Sequence, residues 1–279
     1  MYKNILVCLD GGTADTSILK AALFFGQKLK AKLHALTVQD ILTLEGPLMY
    51  DISGAMAFIP QLNLLEETRK VMEERSKNIL AGFAQACDEA GVAHQETIAE
   101  GIVHKVILEK SELADLIVLG RHGLNYGLDK ELLGSTADRV VSKSKHPVLV
   151  VTHDFQDLKN PLLAYDGSHE AHEALATATQ VCADLHLPLT VLYVGKDKEE
   201  AKRILGEAKV YLEAYPVIAK YEQTEGDPHT EVPAYAKRHF HDLMFIGARG
   251  HHSRLVEFIL GSTTEYALWS GNCHVLVDR

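Results

Sequence analysis

The chain has 279 residues, which at about 150 residues per domain is material for two domains. Hydrophobic residues make up 47% and charged residues 24%, the proportions of a globular protein and not of a collagen, a disordered tail or a disulfide scaffold. The net charge of −10 excludes the diffuse basic field that non-specific nucleic-acid binding needs, so any anionic ligand must be held locally.

The opening stretch MYKNILVCLDGG has neither the apolar length nor the small-residue cleavage site of a signal peptide. No later stretch approaches ~18 uninterrupted apolar residues. The expectation is a soluble cytoplasmic protein with neither membrane nor nucleic acid among its partners. Cys8, Cys87, Cys182 and Cys273 form no C-x-x-C pair and read as buried free thiols.

Along the chain, apolar runs alternate with helical patterns, and the order occurs twice. Ile5–Leu9 is a strand ending in Asp10-Gly11. A helical pattern through Ile18, Ala21, Ala22 and Phe25 follows, then a strand over Lys32–Val38. The segment Asp40–Asn63, rich in Met, Leu, Phe, Gly and Pro, has no counterpart later and reads as a flap or an interdomain contact. Leu65–Ala90 is an amphipathic helix with Ile79, Leu80, Phe83, Ala86 and Cys87 on one face, stopped by Gly91. Strands follow around Gln95–Ile98, at Leu116–Leu119 and at Val148–Val151.

The second copy opens on Leu162-Leu163-Ala164-Tyr165-Asp166-Gly167 and a helix through Ala171, Ala174, Leu175 and Ala178. Leu243–Ile246 ends in Gly247, and Val275–Val277 closes the chain. Gly120-x-x-Gly123 matches Gly247-x-x-Gly250, and Gly134-Ser135 matches Gly261-Ser262, at one offset of 127 residues. Val/Ile/Leu strands separated by helices imply a parallel sheet covered on both faces. The fold class is α/β, built twice: residues 1–152, with the insertion near 40–63, and residues 153–279.

In such sheets ligands bind beyond the carboxyl ends of the strands. Gly120-x-x-Gly123 leaves backbone amides unshielded, and Gly134-Ser135 enters a helical pattern over Ala137–Ser144, offering a hydroxyl cap and free N–H groups at a positive helix end. Together they describe a phosphate cradle, repeated by Gly247, Gly250, Gly261 and Ser262. Asp10 and Asp166 are acceptor-only when ionised, which suits an amino or hydroxyl group. The competing reading makes the glycines simple turns and the two aspartates helix caps; finding the whole set twice in register weighs against it. Arg121, His122 and Lys130, and likewise Arg249, His251, His252 and Arg254, either neutralise a triphosphate or form a solvated loop. The histidine pairs lack the partners of a zinc site, so no metal ligands are assigned.

This order of elements resembles the universal stress protein family in its tandem form, over nearly the whole chain except Asp40–Asn63. The resemblance implies two Rossmann-like, adenine nucleotide alpha hydrolase-like domains, each a parallel five-stranded sheet with helices on both faces. It implies ATP as ligand, or ADP or AMP, with Mg as companion ion. It places Asp10 and Asp166 at the adenosine, Val38 and Val194 at the adenine, and Gly120, Gly123, Gly134 and Ser135 at ribose and phosphates. Gly247, Gly250, Gly261 and Ser262 would do the same in the second site. It also implies halves related by a pseudo-twofold, with Val148–Val151 and Val275–Val277 as edge strands for domain pairing or a homodimer.

There are departures. Ten residues separate Gly123 from Gly134, and ten separate Gly250 from Gly261, one more than the ATP-binding branch typically has. Gly12 stands where a Ser is usual, whereas Asp166-Gly167-Ser168 keeps it, and Glu225-Gly226-Asp227-Pro228 keeps a Pro that Glu100-Gly101-Ile102-Val103 lacks. By these details the second half is the more typical copy.

The functional expectation is a regulatory, ATP-binding stress-response protein. Alternatives are an ATP-using enzyme, because Asp10–Ser17 distantly resembles the loop of ATP pyrophosphatases, and a nucleotide-free dimerisation or scaffold module. No residue stands out as a general base, so no catalytic role is assigned and at most slow ATP hydrolysis is expected.

Overall fold

The computed structural model describes residues 2–41, 58–123, 134–152, 154–248, 260–270 and 273–278. The first half runs β1 (Asn4–Cys8), α1 (Asp15–Leu29), β2 (Lys32–Asp40), α2 (Phe58–Ala90), β3 (His94–Gly101), α3 (Val103–Lys110), β4 (Leu116–Gly120), α4 (Ser135–Lys143) and β5 (Val148–Val151). The second runs β6 (Leu162–Ala164), α5 (His169–Leu185), β7 (Leu189–Val194), α6 (Lys198–Leu212), β8 (Ala219–Thr224), α7 (Pro228–Arg238), β9 (Leu243–Gly247), α8 (Ser262–Ser270) and β10 (His274–Asp278). α2 is longer than its hydrophobic periodicity implies. It begins at Phe58, so the last part of the Asp40–Asn63 insertion is helix and not loop. Pro60 falls in the first turn, where a missing N–H disrupts nothing.

The ten strands among the described residues form one sheet in the order β3-β2-β1-β4-β5-β10-β9-β6-β7-β8. Pairing is parallel within each half. At the centre β5 and β10 pair antiparallel, with Val150 beside Val275, Leu149 beside Leu276 and Val148 beside Val277. The two runs expected to seek partners therefore satisfy each other within one chain, which removes two open sheet edges. Apolar side chains point both ways from the sheet. One core contains Phe25, Phe83, Phe245 and Leu276, and the opposite one contains Ile117, Val150, Met244 and Val275.

A second repeat emerges only in three dimensions. The Asp115 carboxylate accepts the N–H groups of Lys3 and Asn4 at 2.7 and 2.8 Å. Asp242 does the same for Lys159 and Asn160 at 2.6 and 2.9 Å. Each aspartate thus fixes the start of its half's first strand to the start of its fourth. The connecting segment is anchored by Phe155, which packs against Phe24 and stacks on His274 at 5.0 Å.

α1 and α5 both terminate on a left-handed residue, Lys30 (φ 51°) and His186 (φ 55°). A side chain in that region costs roughly 1 kcal/mol relative to glycine. Lys30→Gly is therefore expected to stabilise the protein by about 1 kcal/mol, read as an upward shift of the urea midpoint. An unchanged or lower midpoint would contradict the strain argument.

Candidate functional site

In the order β3-β2-β1-β4-β5 the direction of winding reverses between β1 and β4. Loops leaving those two strands part to opposite faces and open a crevice at their carboxyl ends. Asp10 follows β1, and Gly120 ends β4.

The loop after β1 is held by its own carboxylates. Asp10 Oδ1 accepts the Gly12 N–H at 2.8 Å, and Asp15 accepts those of Asp10 and Gly11 at 3.3 and 2.8 Å. Gly11 sits at φ +76°, a conformation that glycine adopts without strain. Neither Asp10 nor Asp166 caps a helix. The N-cap of α1 is Ala14, without a side-chain cap bond, and that of α5 is Ser168, whose hydroxyl accepts the Ala171 N–H. Burial, and secondarily the Asp10 charge, raises the Asp15 carboxyl to about 6.

A raised carboxyl pKa means that the folded state holds this proton more tightly than the unfolded chain does. Its contribution to stability is present below about pH 4 and is lost as the pH rises through about 6. Asp15→Asn is expected to flatten that part of the stability curve, measured by urea unfolding at about pH 5 and about pH 7. A slope identical to the parent's would reject Asp15 as its source.

The glycine segments meet this loop. A side chain at Gly123 would begin 2.9 Å from Asp10 Oδ2, and one at Gly134 would begin 2.9 Å from the Arg121 carbonyl. Gly134 also donates its N–H to that carbonyl at 3.0 Å. α4 starts two residues earlier than the periodicity implies. Its N-cap is Gly134, with no side-chain cap bond, so the hydroxyl cap expected of Ser135 is not made and the first-turn N–H groups carry no side-chain lid. An uncapped helix start is a ready acceptor site for an anion.

Asp10, Val38, Gly120, Gly123, Gly134 and Ser135 all line one cleft of about 530 Å³. The expected loop cations behave differently. Arg121 donates to the Trp269 carbonyl in the second half. The His122 ring is pushed down to about 4 by burial and then by Arg121, so it is neutral near pH 7. Lys130 lies outside the described residues, as do Arg249, Gly250, His251, His252 and Arg254.

The structure adds walls that the sequence reading did not nominate. Thr37 and Gln39 come from β2, and Arg75 and Ser76 from α2. Arg75 donates to the carbonyls of Asp10 and Gly11 at 3.1 and 3.0 Å. A cation on the apolar face of a helix was the available signal, since Arg75 precedes Ile79 by one turn. Cys8 also lines the cleft and is only partly buried, a correction to the expectation for the four thiols. Burial, and then Asp10, pushes its thiol up to about 12, which leaves it protonated and a poor nucleophile.

The second half repeats the frame. Asp166 Oδ1 accepts the Ser168 N–H at 2.9 Å. Gly261 donates to the Ala248 carbonyl at 2.9 Å, the counterpart of the Gly134–Arg121 bond. Gly247 lies against the first turn of α5, where a side chain would begin 2.7 Å from the Glu170 backbone. Val194 ends β7, as Val38 stands near the end of β2.

A parallel sheet built twice, with a carboxylate and glycines at each switch point, defines a duplicated Rossmann-like α/β protein. The model of the universal stress protein family matches residues 1–152 and 195–279, and the chain belongs to that family. A universal stress protein of Synechocystis sp. is 28% identical over 99% of this chain and 100% of its own length. One from Methanocaldococcus jannaschii is 29% identical over 54% of this chain and 82% of its own length, about one half of the duplication. Among solved structures, a universal stress protein of Archaeoglobus fulgidus superposes with a TM-score of 0.79 at 23% identity, covering 99% of this chain and 98% of that one. Among the described residues no helix is long and apolar enough to cross a membrane.

Proposed function

We propose that this protein is a two-domain adenine-nucleotide receptor, divided near residue 152, in which ATP bound at the first-half cleft regulates conformation or partner binding. The observation that carries this reading is the convergence of Asp10, Val38, Gly120, Gly123, Gly134 and Ser135 on one cleft beside an uncapped helix start. In this reading the Asp10 carboxylate accepts from the ribose or adenine, Val38 borders the base, and the glycine amides with the α4 N-terminus hold the phosphates. Mg²⁺ enters as the triphosphate's counter-ion.

Binding by amides reconciles a polyanionic ligand with an acidic chain, because oriented N–H dipoles act locally whatever the net charge. Regulation is favoured over catalysis by the chemistry of the walls. The one thiol on the cleft wall among the described residues, Cys8, stays protonated. The test is to denature freshly purified protein and identify any released nucleotide, then to titrate ATP calorimetrically into the stripped protein. Released adenine nucleotide or saturable heat is expected. No nucleotide and no heat at about millimolar ATP, a threshold weaker than a physiological receptor needs, would overturn the proposal.

A further inference from the structure

The two halves align residue by residue at the ends of their inner strands. Leu9 donates its N–H to Leu36 at 3.0 Å, and Tyr165 donates to Leu192 at 2.9 Å. Counting on from these bonds, Thr37 corresponds to Tyr193, and Gln39 to Gly195. Ile79 and Ile204 provide a second alignment, since they pack against Gly11 and Gly167 respectively. One turn earlier on each helix stand Arg75 and Glu200.

These exchanges change what each half offers a ligand. Thr37 is 4% exposed and lines the cleft, and among the described residues its Oγ1 has no hydrogen-bond partner. A buried hydroxyl left unpaired on a cleft wall is a group that a ligand settling there can satisfy. Arg75 adds a cation to the same wall. In the second half the Tyr193 ring lies directly on Gly195, where a Cβ would begin 2.7 Å from its Cε1 and Oη. Its hydroxyl donates to Glu200 Oε2 at 3.2 Å, and the residue is 8% exposed. Glycine at 195 is what permits that placement, because a Gln39-like side chain would collide with the ring. The hydroxyl that stands ready in one half is thus replaced by an aromatic ring with its polar atom satisfied internally. The cation is replaced by a carboxylate that repels phosphate.

We infer that the chain takes one nucleotide, in the first half, and that Tyr193 and Glu200 occupy the corresponding volume of the second. Residues 37 with 193, 39 with 195 and 75 with 200 are then the pairs that decide which copy binds. This rests on the nucleotide reading above, and it narrows two candidate sites to one, in the half whose motif is the less typical.

The test uses the full chain, stripped of nucleotide, with ATP for stoichiometry and 8-azido-ATP followed by peptide mapping for location. One equivalent bound, with label on peptides from residues 1–152, is the expected result. Two equivalents, or label on second-half peptides, would overturn the one-site assignment and leave nucleotide binding standing. No binding would remove both. Two variants whose folding is checked by thermal melting make the argument specific. Thr37→Tyr with Gln39→Gly, which copies the second-half wall into the first, should weaken ATP binding at least about tenfold. Tyr193→Thr with Glu200→Arg should raise the stoichiometry toward two. Cooperatively folded variants with the parent's affinity and stoichiometry would reject these residues as the determinants.

Discussion

Gly123→Asp is expected to abolish ATP binding in the first half, with an affinity loss of at least about a hundredfold. A side chain at 123 begins 2.9 Å from Asp10 Oδ2, so the new carboxylate is forced against an existing one and faces the region assigned to phosphate. A phosphate about 4 Å from that added carboxylate near a protein surface would be repelled by roughly 4 kcal/mol, more than enough for the stated loss. The fold should tolerate the change, because Gly123 is not among the glycines with positive φ. Calorimetric titration beside a thermal melt separates the two effects. A folded Gly123→Asp protein that binds ATP normally would remove the glycine loop from the site. Gly123→Ala, with no added charge, should fall between the two.

The second large effect is on stability. Leu276 in β10 pairs with Leu149 in β5 across the antiparallel joint, and both are fully buried. Leu276→Ala leaves a cavity at the seam between the halves and is expected to destabilise the protein by about 3 kcal/mol. Val210→Ala, at a position 71% exposed, should stay within about 0.5 kcal/mol. Urea unfolding of the two variants reads the contrast. If Leu276→Ala unfolded no earlier than Val210→Ala, the seam would not be part of the cooperative core. If it produced two transitions, the joint would be what makes the halves unfold together.

Much of this protein is legible in one dimension because its sheet is parallel and buried on both faces. Such strands appear as unbroken Val, Ile and Leu runs, and the offset of 127 residues between the glycine motifs exposes the duplication without any structure. Element ends were less legible. α2 extends back to Phe58 and α4 to Ser135, since helix starts depend on capping geometry that periodicity does not encode. The glycines and Asp10 were legible as a set, later found on one cleft, because their spacing repeats in both halves. Arg75, Thr37 and Gln39 were not. A helical Arg among apolar residues reads as a surface cation, and a strand Thr reads as core, until α2 is laid across the ends of β1 and β2.

By itself the sequence determined the fold class, the repeat and the glycine positions at the strand ends, because each depends on local residue size and on hydrophobic period. Only the tertiary structure decided three other matters. β5 and β10 meet each other, Arg121 turns to the second half, and the two copies present unlike walls. Each of these depends on contacts between segments far apart in the chain. Tyr193 packs on Gly195 while Thr37 lies unpaired on a cleft wall that Arg75 shares, and that difference resides in which side chains face one another, not in any motif that either half carries alone.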